Sequence, residues 1–251
     1  MNRNEAFPPI LVNTLCAKLA WASLDVVVED VEQIQVFVSG AEGDVKDLRV
    51  ACQEMCLTVE QPNYGINLKN LGSERWLQVM IRLPLSWKGA VDVNTISAPL
   101  TVQGLSGTDF TLDTVSGDLT ATGLSSITTA LRTVSGTIQA ADVYGEKLSL
   151  RSVSGDITGR GCSFDTYRIN TVSGQVDLDM ERPFDKLDGA SVSGDVRIFT
   201  PMTCADAALR SVAGRLLTRG ISIQQGAPEA RLSSVSGNFE INCSNATYEE
   251  E

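Results

Sequence analysis

Apolar residues recur along the second half of the chain in a pattern that repeats about every 19 residues. Short segments of the form Thr/Ser-Val-Ser-Gly separate runs in which apolar and polar residues alternate. These segments begin at Thr114, Thr133, Ser152, Thr171, Ser191, Ser211 and Ser234, and a degenerate copy begins one period upstream at Thr95. A fixed period over eight copies is typical of a stacked-repeat fold.

Aligning the copies gives columns of apolar residues spaced by two, which is the periodicity of β-strands. One column lies five residues before the motif valine, a second three before it and a third four after it. The motif valines themselves form a fourth column: Ile96, Val115, Val134, Val153, Val172, Val192, Val212 and Val235. Repeats stacked about 4.8 Å apart would bury each column in a continuous core. The pattern therefore predicts an all-β, single-stranded parallel β-solenoid of about eight rungs, each 19–23 residues long.

The serine and glycine of each motif lie where the chain must turn between strands. Glycine adopts positive φ without penalty, so it is expected to mark the corner. The adjacent serines would stack as a ladder of hydrogen-bonded hydroxyls. We predict a structural role, and no catalytic one, for the corner residues Ser116, Gly117, Ser135, Gly136, Ser154, Gly155, Ser173, Gly174, Ser193, Gly194, Gly214, Ser236 and Gly237.

The N-terminal third lacks the motif but remains strand-like. Segments such as Trp21–Val28, Ile34–Val38 and Trp76–Leu83 alternate apolar and polar residues. A solenoid exposes an unpaired strand edge at each end and needs a cap there. The predicted organisation is a flexible N-terminus at 1–9, an irregular β cap at 10–88 continuous with the solenoid, the solenoid repeats at 89–247 and an acidic tail at 248–251.

Composition excludes several function classes. The chain has no histidine, which excludes a Ser-His-Asp triad, a Cys-His pair and a His-ligated metal. With 20 basic and 31 acidic side chains, the net charge of −11 argues against nucleic acid and anionic membranes as partners. Of the six cysteines only Cys52 and Cys56 are close in sequence, which favours reduced thiols acting as small core residues. No metal and no cofactor is predicted.

The carboxylates show no catalytic arrangement. Aspartates at the last motif position fall on alternate rungs, at Asp118, Asp156 and Asp195, whereas a calcium-binding repeat needs clustered acidic ligands. On the predicted register Asp177 lies between Thr158 and Arg197, an opposite-charge pair typical of a solvated face.

A carbohydrate-active lyase or hydrolase built on a β-helix is the alternative hypothesis. Glycoside hydrolysis requires two carboxyl groups on one face, roughly 5–10 Å apart. This hypothesis predicts a groove lined by Asp, Arg and aromatic side chains. The aromatic residues near the middle of the repeats are Phe164, Tyr167, Phe184 and Phe199.

The repeated Val-Ser-Gly-Asp-(Leu/Ile/Val), the upstream Arg82-Leu83-Pro84 and the opening strands Leu24–Val28 and Ile34–Val38 resemble a bacterial family. It is the β-solenoid family known as "putative adhesin", a domain of unknown function, and the resemblance covers about residues 15–245. It implies a β-helix, often found on cell-envelope or stress-related proteins, with no established enzymatic activity. Ala98-Pro99 and Ala213–Arg215 depart from the motif.

Together these observations predict a non-enzymatic binding or scaffold module, adhesin-like or related to envelope stress. The expected partner is a protein, peptide or glycan, without membrane insertion, and end-to-end or side-by-side homo-oligomers are a further option. The N-terminal 22 residues match a secretory signal poorly, and no run approaches the ~20 apolar residues of a membrane span. We therefore expect a cytoplasmic location, with the cell envelope as the alternative that the family name suggests.

Overall fold

The structure, a computed structural model, describes residues 1–62 and 76–244. Within these residues β-strands are the dominant secondary structure and helix is confined to two short segments, so the all-β prediction is confirmed. A 3₁₀ helix covers Pro9–Leu11, and the short α-helix α1 covers Glu42–Asp47. The predicted acidic tail at 248–251 lies outside the described residues.

Seven strands precede the repeats. They are β1 (Asn2–Phe7), β2 (Thr14–Leu19), β3 (Ser23–Glu29), β4 (Ile34–Gly40), β5 (Arg49–Gln53), β6 (Cys56–Glu60) and β7 (Leu77–Pro84). The next strands are β8 (Ala90–Thr95), β9 (Leu100–Gln103), β10 (Asp109–Thr114), β11 (Leu119–Arg132), β12 (Ile138–Arg151), β13 (Ile157–Ser163), β14 (Thr166–Thr171) and β15 (Val176–Met180). The last are β16 (Lys186–Ser191), β17 (Val196–Thr200), β18 (Cys204–Ser211), β19 (Leu216–Arg219), β20 (Ser222–Ile223), β21 (Glu229–Ser234) and β22 (Phe239–Cys243).

The strands form two faces around one apolar core. In each rung that carries the motif, a strand of the first face leads through the Val-Ser-Gly corner into a strand of the second face. The first face has the order β5–β6–β2–β8–β10–β11–β12–β14–β16–β21–β18. The second has the order β1–β4–β7–β3–β9–β11–β12–β13–β15–β17–β22–β19. All pairs from β6 and β7 onward are parallel, which makes the fold β-solenoid-like.

Three of the four predicted apolar columns line the core. In the rung of β10 and β11, Phe110, Leu112 and Leu119 are all buried. The same columns stay buried through the rungs that β8 to β17 form, because equivalent residues pair directly, as Leu112 does with Leu131. Where the polar Thr129 enters a column, its hydroxyl lies 2.6 Å from that of Ser126, so the buried oxygen is paired.

The predicted N-terminal cap divides into two parts. Strand β2 lies between β6 and β8, and β3 lies between β7 and β9, in parallel register. Residues 14–29 therefore form a rung inside the stack, and strands β4 to β7 lie outside it. Longer-range pairing decides this, because the outer strands return to cover the exposed edge of the β2–β3 rung.

The prediction of a flexible terminus at 1–9 is wrong for residues 2–7. They form β1, which pairs antiparallel with β4 from Asn2↔Ser39 to Phe7↔Ile34. The Arg3 guanidinium also donates to the Leu48 carbonyl at 2.7 Å. The mixed charges of this segment suit an edge strand, whose outer side chains face solvent.

The last two motif copies stack out of sequence order. β21 pairs with both β16 and β18, and β22 pairs with both β17 and β19. The rung of Val235 consequently lies between those of Val192 and Val212, whereas the repeat pattern predicts consecutive stacking. The inserted rung carries Phe239 and Ile241 at inward positions that are fully buried. Placing the more apolar rung inside buries more apolar surface than the sequential order would.

Candidate functional site

All of the predicted corner residues lie along one edge of the solenoid, where the first face passes into the second. At the corner between β10 and β11, Thr114 is buried, Val115 and Ser116 are exposed, and Gly117 is buried again. This order recurs in the stacked copies except the one at Ser211–Gly214, where Ser211 is exposed and Gly214 is half-buried. Successive corners are hydrogen-bonded to one another, since the Ser135 amide donates to the Val115 carbonyl at 2.9 Å.

The motif valines point to solvent, so the prediction that they form a fourth core column is wrong. They are 42–51% exposed at six corners and 86% exposed at Val212. The reason is strand alternation: the inward positions lie five, three and one residues before the valine, so the valine itself faces outward. In spatial order these residues are Val115, Val134, Val153, Val172, Val192, Val235 and Val212, and we name them the valine edge. At about 4.8 Å per rung the valine edge is about 29 Å long.

The residue before each valine carries a hydroxyl that closes the corner, and it is buried in every copy except Ser211; sequence reasoning missed this role. Thr114 Oγ1 accepts from the Gly117 amide at 3.1 Å, and Thr171 Oγ1 donates to the Gly174 carbonyl at 2.9 Å. Ser234 donates to the Gly237 carbonyl in the same way, at 2.6 Å. The sequence does contain a signal for this role: every copy of the motif begins with Thr or Ser.

The motif glycines occupy the corners, but the physical reason predicted for them is wrong. Positive φ among the described glycines occurs at other positions, such as Gly104 and Gly123. At the corners the constraint is contact with the neighbouring rung: a Cβ on Gly174 would lie 2.1 Å from the Gly155 carbonyl oxygen. A side chain is excluded by the stacking distance and not by backbone conformation.

The motif serines donate across rungs to backbone carbonyls and do not form the predicted hydroxyl ladder. Ser135 Oγ lies 3.3 Å from the Val115 carbonyl oxygen, and Ser154 Oγ lies 3.2 Å from that of Val134. Because these hydroxyls are engaged, the methyl groups of the valines are the main feature that the valine edge presents.

The motif aspartates also link adjacent rungs. Asp118 Oδ1 accepts from the Thr137 amide at 2.9 Å and from its hydroxyl at 2.8 Å, and these bonds lower the pKa of Asp118. Asp195 Oδ1 likewise accepts from the Asn238 amide at 2.8 Å. Each carboxylate satisfies the backbone of the next rung, so the aspartates are structural acceptors at the border of the valine edge.

Several charged side chains on the faces form ion pairs with a charged neighbour. Asp177 lies between Thr158 and Arg197, as the register predicts, and its carboxylate is 3.6 Å from the Arg197 guanidinium. On the first face Asp113 lies 3.2 Å from Arg132, and burial raises the pKa of Asp113. Among residues 1–62 and 76–244, no group of three or more His, Cys, Asp or Glu side chains is placed to hold a metal ion.

Three of the four mid-solenoid aromatic residues are packed in the core, whereas the fourth, Phe199, is half-buried at an outward position of β17. Phe164, Tyr167 and Phe184 are buried and meet edge to face, with ring centroids 5.8 and 6.5 Å apart. The Tyr167 hydroxyl donates to the Cys162 carbonyl at 3.1 Å, and burial raises its pKa. These three buried rings are therefore inaccessible to a sugar, contrary to what the carbohydrate-active alternative requires.

A cleft of about 600 Å³ lies near the other end of the first-face strands. Its lining includes Pro9, Ile10 and Trp87. Trp87 is buried and donates from Nε1 to the Val12 carbonyl at 2.7 Å, whereas Ile10 is 80% exposed. The cleft has room for a small apolar group but brings together no catalytic side chains.

No helix in the described part of the chain combines the length and apolar character needed to cross a membrane.

The family model described as Toastrack DUF4097 matches residues 17–242. No curated protein matches the chain. The structure named "Putative lipid binding protein" from Parabacteroides distasonis aligns with a TM-score of 0.60 and 12% identity, covering 97% of this chain and 96% of its own. A "putative adhesin" structure from the same organism gives 0.60 and 11%, with the same coverage of both chains. At such low identity the two structures show the fold alone, and none of the three descriptions states a catalytic activity.

Proposed function

The chain belongs to the Toastrack DUF4097 family, and on this premise we propose that it is a non-enzymatic binding or scaffold module whose contact surface is the valine edge. The resemblance to the "putative adhesin" family that the sequence predicts is confirmed by that match and by the similar adhesin structure. The family is one of unknown function, so the proposal depends on the geometry of this chain.

The exposure of the stacked valines is the observation that carries the proposal. Isolated apolar residues on a surface are ordinary, but a contiguous apolar surface is typical of an interaction site. Here one valine follows another on adjacent rungs, and each is at least 42% exposed. Their outward position contributes little to the core, whereas it provides a straight, rigid apolar strip.

The chemistry of the strip favours a protein or peptide partner over a glycan. Valine methyl groups offer no hydrogen bond to sugar hydroxyls, and the neighbouring serine hydroxyls already donate to backbone carbonyls. Apolar side chains of a partner would instead lose contact with water on docking. The net charge of −11 continues to disfavour nucleic acid.

The proposal extends to architecture and compartment. Parallel pairing from β6 to β22 supports a single-stranded solenoid with about eight motif-bearing rungs. The adhesin name of the similar structure favours the cell envelope, and the cytoplasm is the alternative compartment. Fractionation of cells that produce the full chain, followed by immunodetection, distinguishes the two compartments.

The binding test compares two double variants with the same change in charge. Val134→Lys/Val153→Lys alters the valine edge, and Ser125→Lys/Gln139→Lys alters exposed positions away from it. Immobilised wild type and both variants are exposed to a cell extract and to a glycan array, and captured proteins are quantified by mass spectrometry. We expect proteins that wild type and the control variant retain but the edge variant loses.

Two results would count against the proposal. Equal capture by the edge variant and the control would show that the valine edge is not the contact surface. Turnover of a polysaccharide by the wild-type chain would favour the carbohydrate-active alternative.

A further inference from the structure

Two cysteine thiols meet near the N-terminal end of the solenoid. Strands β2 and β6 are parallel neighbours, with Cys16 opposite Thr58 and Cys56 opposite Thr14. The two cysteines are therefore offset by two residues, which places their side chains on the same side of the sheet. Their Sγ atoms are 3.0 Å apart, although the residues are 40 positions apart in sequence.

The pair lies on the outer side of the first face. The residues between and beside the cysteines, Leu15, Ala17 and Leu57, point into the core and are fully buried, whereas both cysteines are half-buried. Cys52 is near in sequence, but it pairs with the inward-facing Leu57 and its thiol donates to the Leu11 carbonyl. Cys52 thus lies on the opposite side of the sheet from the pair.

We propose that Cys16 and Cys56 form a reversible dithiol–disulfide site whose co-reactant is a low-molecular-weight disulfide such as oxidised glutathione. A disulfide has an S–S length of about 2.05 Å, so the two sulfurs must approach by about 1 Å. Neighbours offset by two residues on adjacent strands are about 7–8 Å apart, beyond the roughly 4.4–6.8 Å between Cα atoms that is usual for a disulfide. Closing the bond therefore requires side-chain rotation together with a small approach of β2 and β6, which the pairing register tolerates.

The thiol–disulfide exchange between the two cysteines and oxidised glutathione takes place in two steps. Cys56 loses its proton to solvent, and its thiolate attacks one sulfur of oxidised glutathione, whose S–S bond breaks and releases one glutathione thiolate. Cys16 then loses its proton, attacks the Cys56 sulfur and displaces the second glutathione. Two protein thiols are oxidised by two electrons in total, and one glutathione disulfide is reduced to two thiols.

The surroundings favour Cys56 as the first nucleophile. Burial, together with the hydrogen bond and charge of Cys56, raises the pKa of Cys16 to about 12. Because the thiolate is the reactive form, Cys16 retains its proton while Cys56 attacks. Cys162 is a contrasting thiol, since deep burial raises its pKa to about 12 and no other cysteine sulfur is recorded within bonding distance of it in the described residues.

The bond would join two structural layers. β2 belongs to the rung inside the stack, and β6 belongs to the outer strands that cover it. Cross-linking residues 40 apart reduces the freedom of the unfolded chain and so stabilises the folded state. The oxidised protein is expected to hold its N-terminal end more firmly than the reduced protein.

The test equilibrates the full chain with reduced and oxidised glutathione at a series of ratios, blocks free thiols with N-ethylmaleimide and maps peptides by mass spectrometry. We expect a single Cys16–Cys56 linked peptide in wild type and in Cys52→Ser. Cys16→Ser and Cys56→Ser should lack it. Circular dichroism should show a Tm several degrees higher for the oxidised wild type than for the reduced form, with no such difference in Cys56→Ser.

The wild-type peptide map decides the proposal even where a variant folds poorly. Free Cys16 and Cys56 thiols after equilibration with oxidised glutathione alone would overturn it. A linked peptide that contains Cys52, Cys204 or any other cysteine in place of this pair would overturn it equally.

Discussion

A Cβ atom built on Gly155 would lie 1.8 Å from the carbonyl oxygen of Gly136, its equivalent in the preceding rung. That distance is far shorter than any non-bonded contact, so the corner accepts no side chain at this position. The close approach also sets how tightly adjacent valines stack. The glycines therefore hold the spacing of the valine edge without contributing to its surface.

Gly155→Ala should destabilise the protein by about 1–3 kcal/mol or more, the range expected when a well-packed site is overfilled. The clash is with backbone atoms of the preceding rung, which cannot rotate away as a side chain could. Urea unfolding followed by circular dichroism measures the change. Gly43→Ala is the matched control, because nothing lies within 4 Å of its Cβ position and Gly43 is inside helix α1. There alanine should stabilise by about 0.5–1 kcal/mol, and equal effects of the two substitutions would contradict the stacking argument.

Val153→Lys should change the free energy of unfolding by about 0.5 kcal/mol or less, as for other exposed surface positions. Four residues on, Ile157 is 1% exposed, and Ile157→Ala should cost about 2–5 kcal/mol because it leaves a cavity in the core. Chemical denaturation of both variants provides the comparison. A large loss of stability in Val153→Lys would mean that the valine packs inside after all.

The order of the last rungs can be tested with engineered cysteine pairs. The Ser236 amide donates to the Val192 carbonyl at 2.9 Å, so the corners of Val192 and Val235 are adjacent. Adjacent rungs are about 4.8 Å apart, and Cα separations of about 4.4–6.8 Å suit a disulfide. Val192→Cys/Val235→Cys should cross-link under mild oxidation, whereas Val192→Cys/Val212→Cys, two rungs apart, should not. The opposite result, detected by peptide mapping, would restore sequential stacking.

Asp118 should titrate below the ordinary aspartate pKa of about 3.9, because the Thr137 amide and hydroxyl donate to its carboxylate. A lowered pKa in the folded state stabilises the protein above about pH 3.9, and this contribution is lost as the pH falls through the folded-state value. Carbon-detected NMR titration measures the pKa directly.

Thr137→Ala removes the hydroxyl donor and keeps the amide, so the pKa of Asp118 should rise part of the way toward its ordinary value. Thr158→Ala, at a half-buried position in β13 two rungs from Asp118, is the control and should leave the titration of Asp118 unchanged. An identical titration in wild type and Thr137→Ala would show that the hydroxyl bond contributes nothing.

Much of the architecture follows from local pattern. The strands expected at Ile34–Val38 and Trp76–Leu83 correspond to β4 and β7, and the columns of Leu112 and Leu119 are buried as predicted. The pattern places the valines wrongly in the core, because apolar character alone does not show burial and strand alternation turns the preceding hydroxyl residue inward. The corner hydroxyls were equally accessible to sequence analysis, since strict alternation identifies Thr114 as an inward position. The contact between Cys16 and Cys56 could not be predicted from the sequence, because it depends on which strand β2 pairs with.

The sequence by itself determined the repeat, the strand period and the inward columns, because these depend on side-chain alternation within one rung. Only the tertiary structure decided that the β2–β3 rung and the β21–β22 rung insert between other rungs. The reason is that strand order at the ends of the stack depends on how much apolar surface each competing strand would bury there. The tertiary structure also decided why the corner residues are glycines. The reason is close contact with the neighbouring rung, and the sequence of one repeat does not contain the distance between rungs.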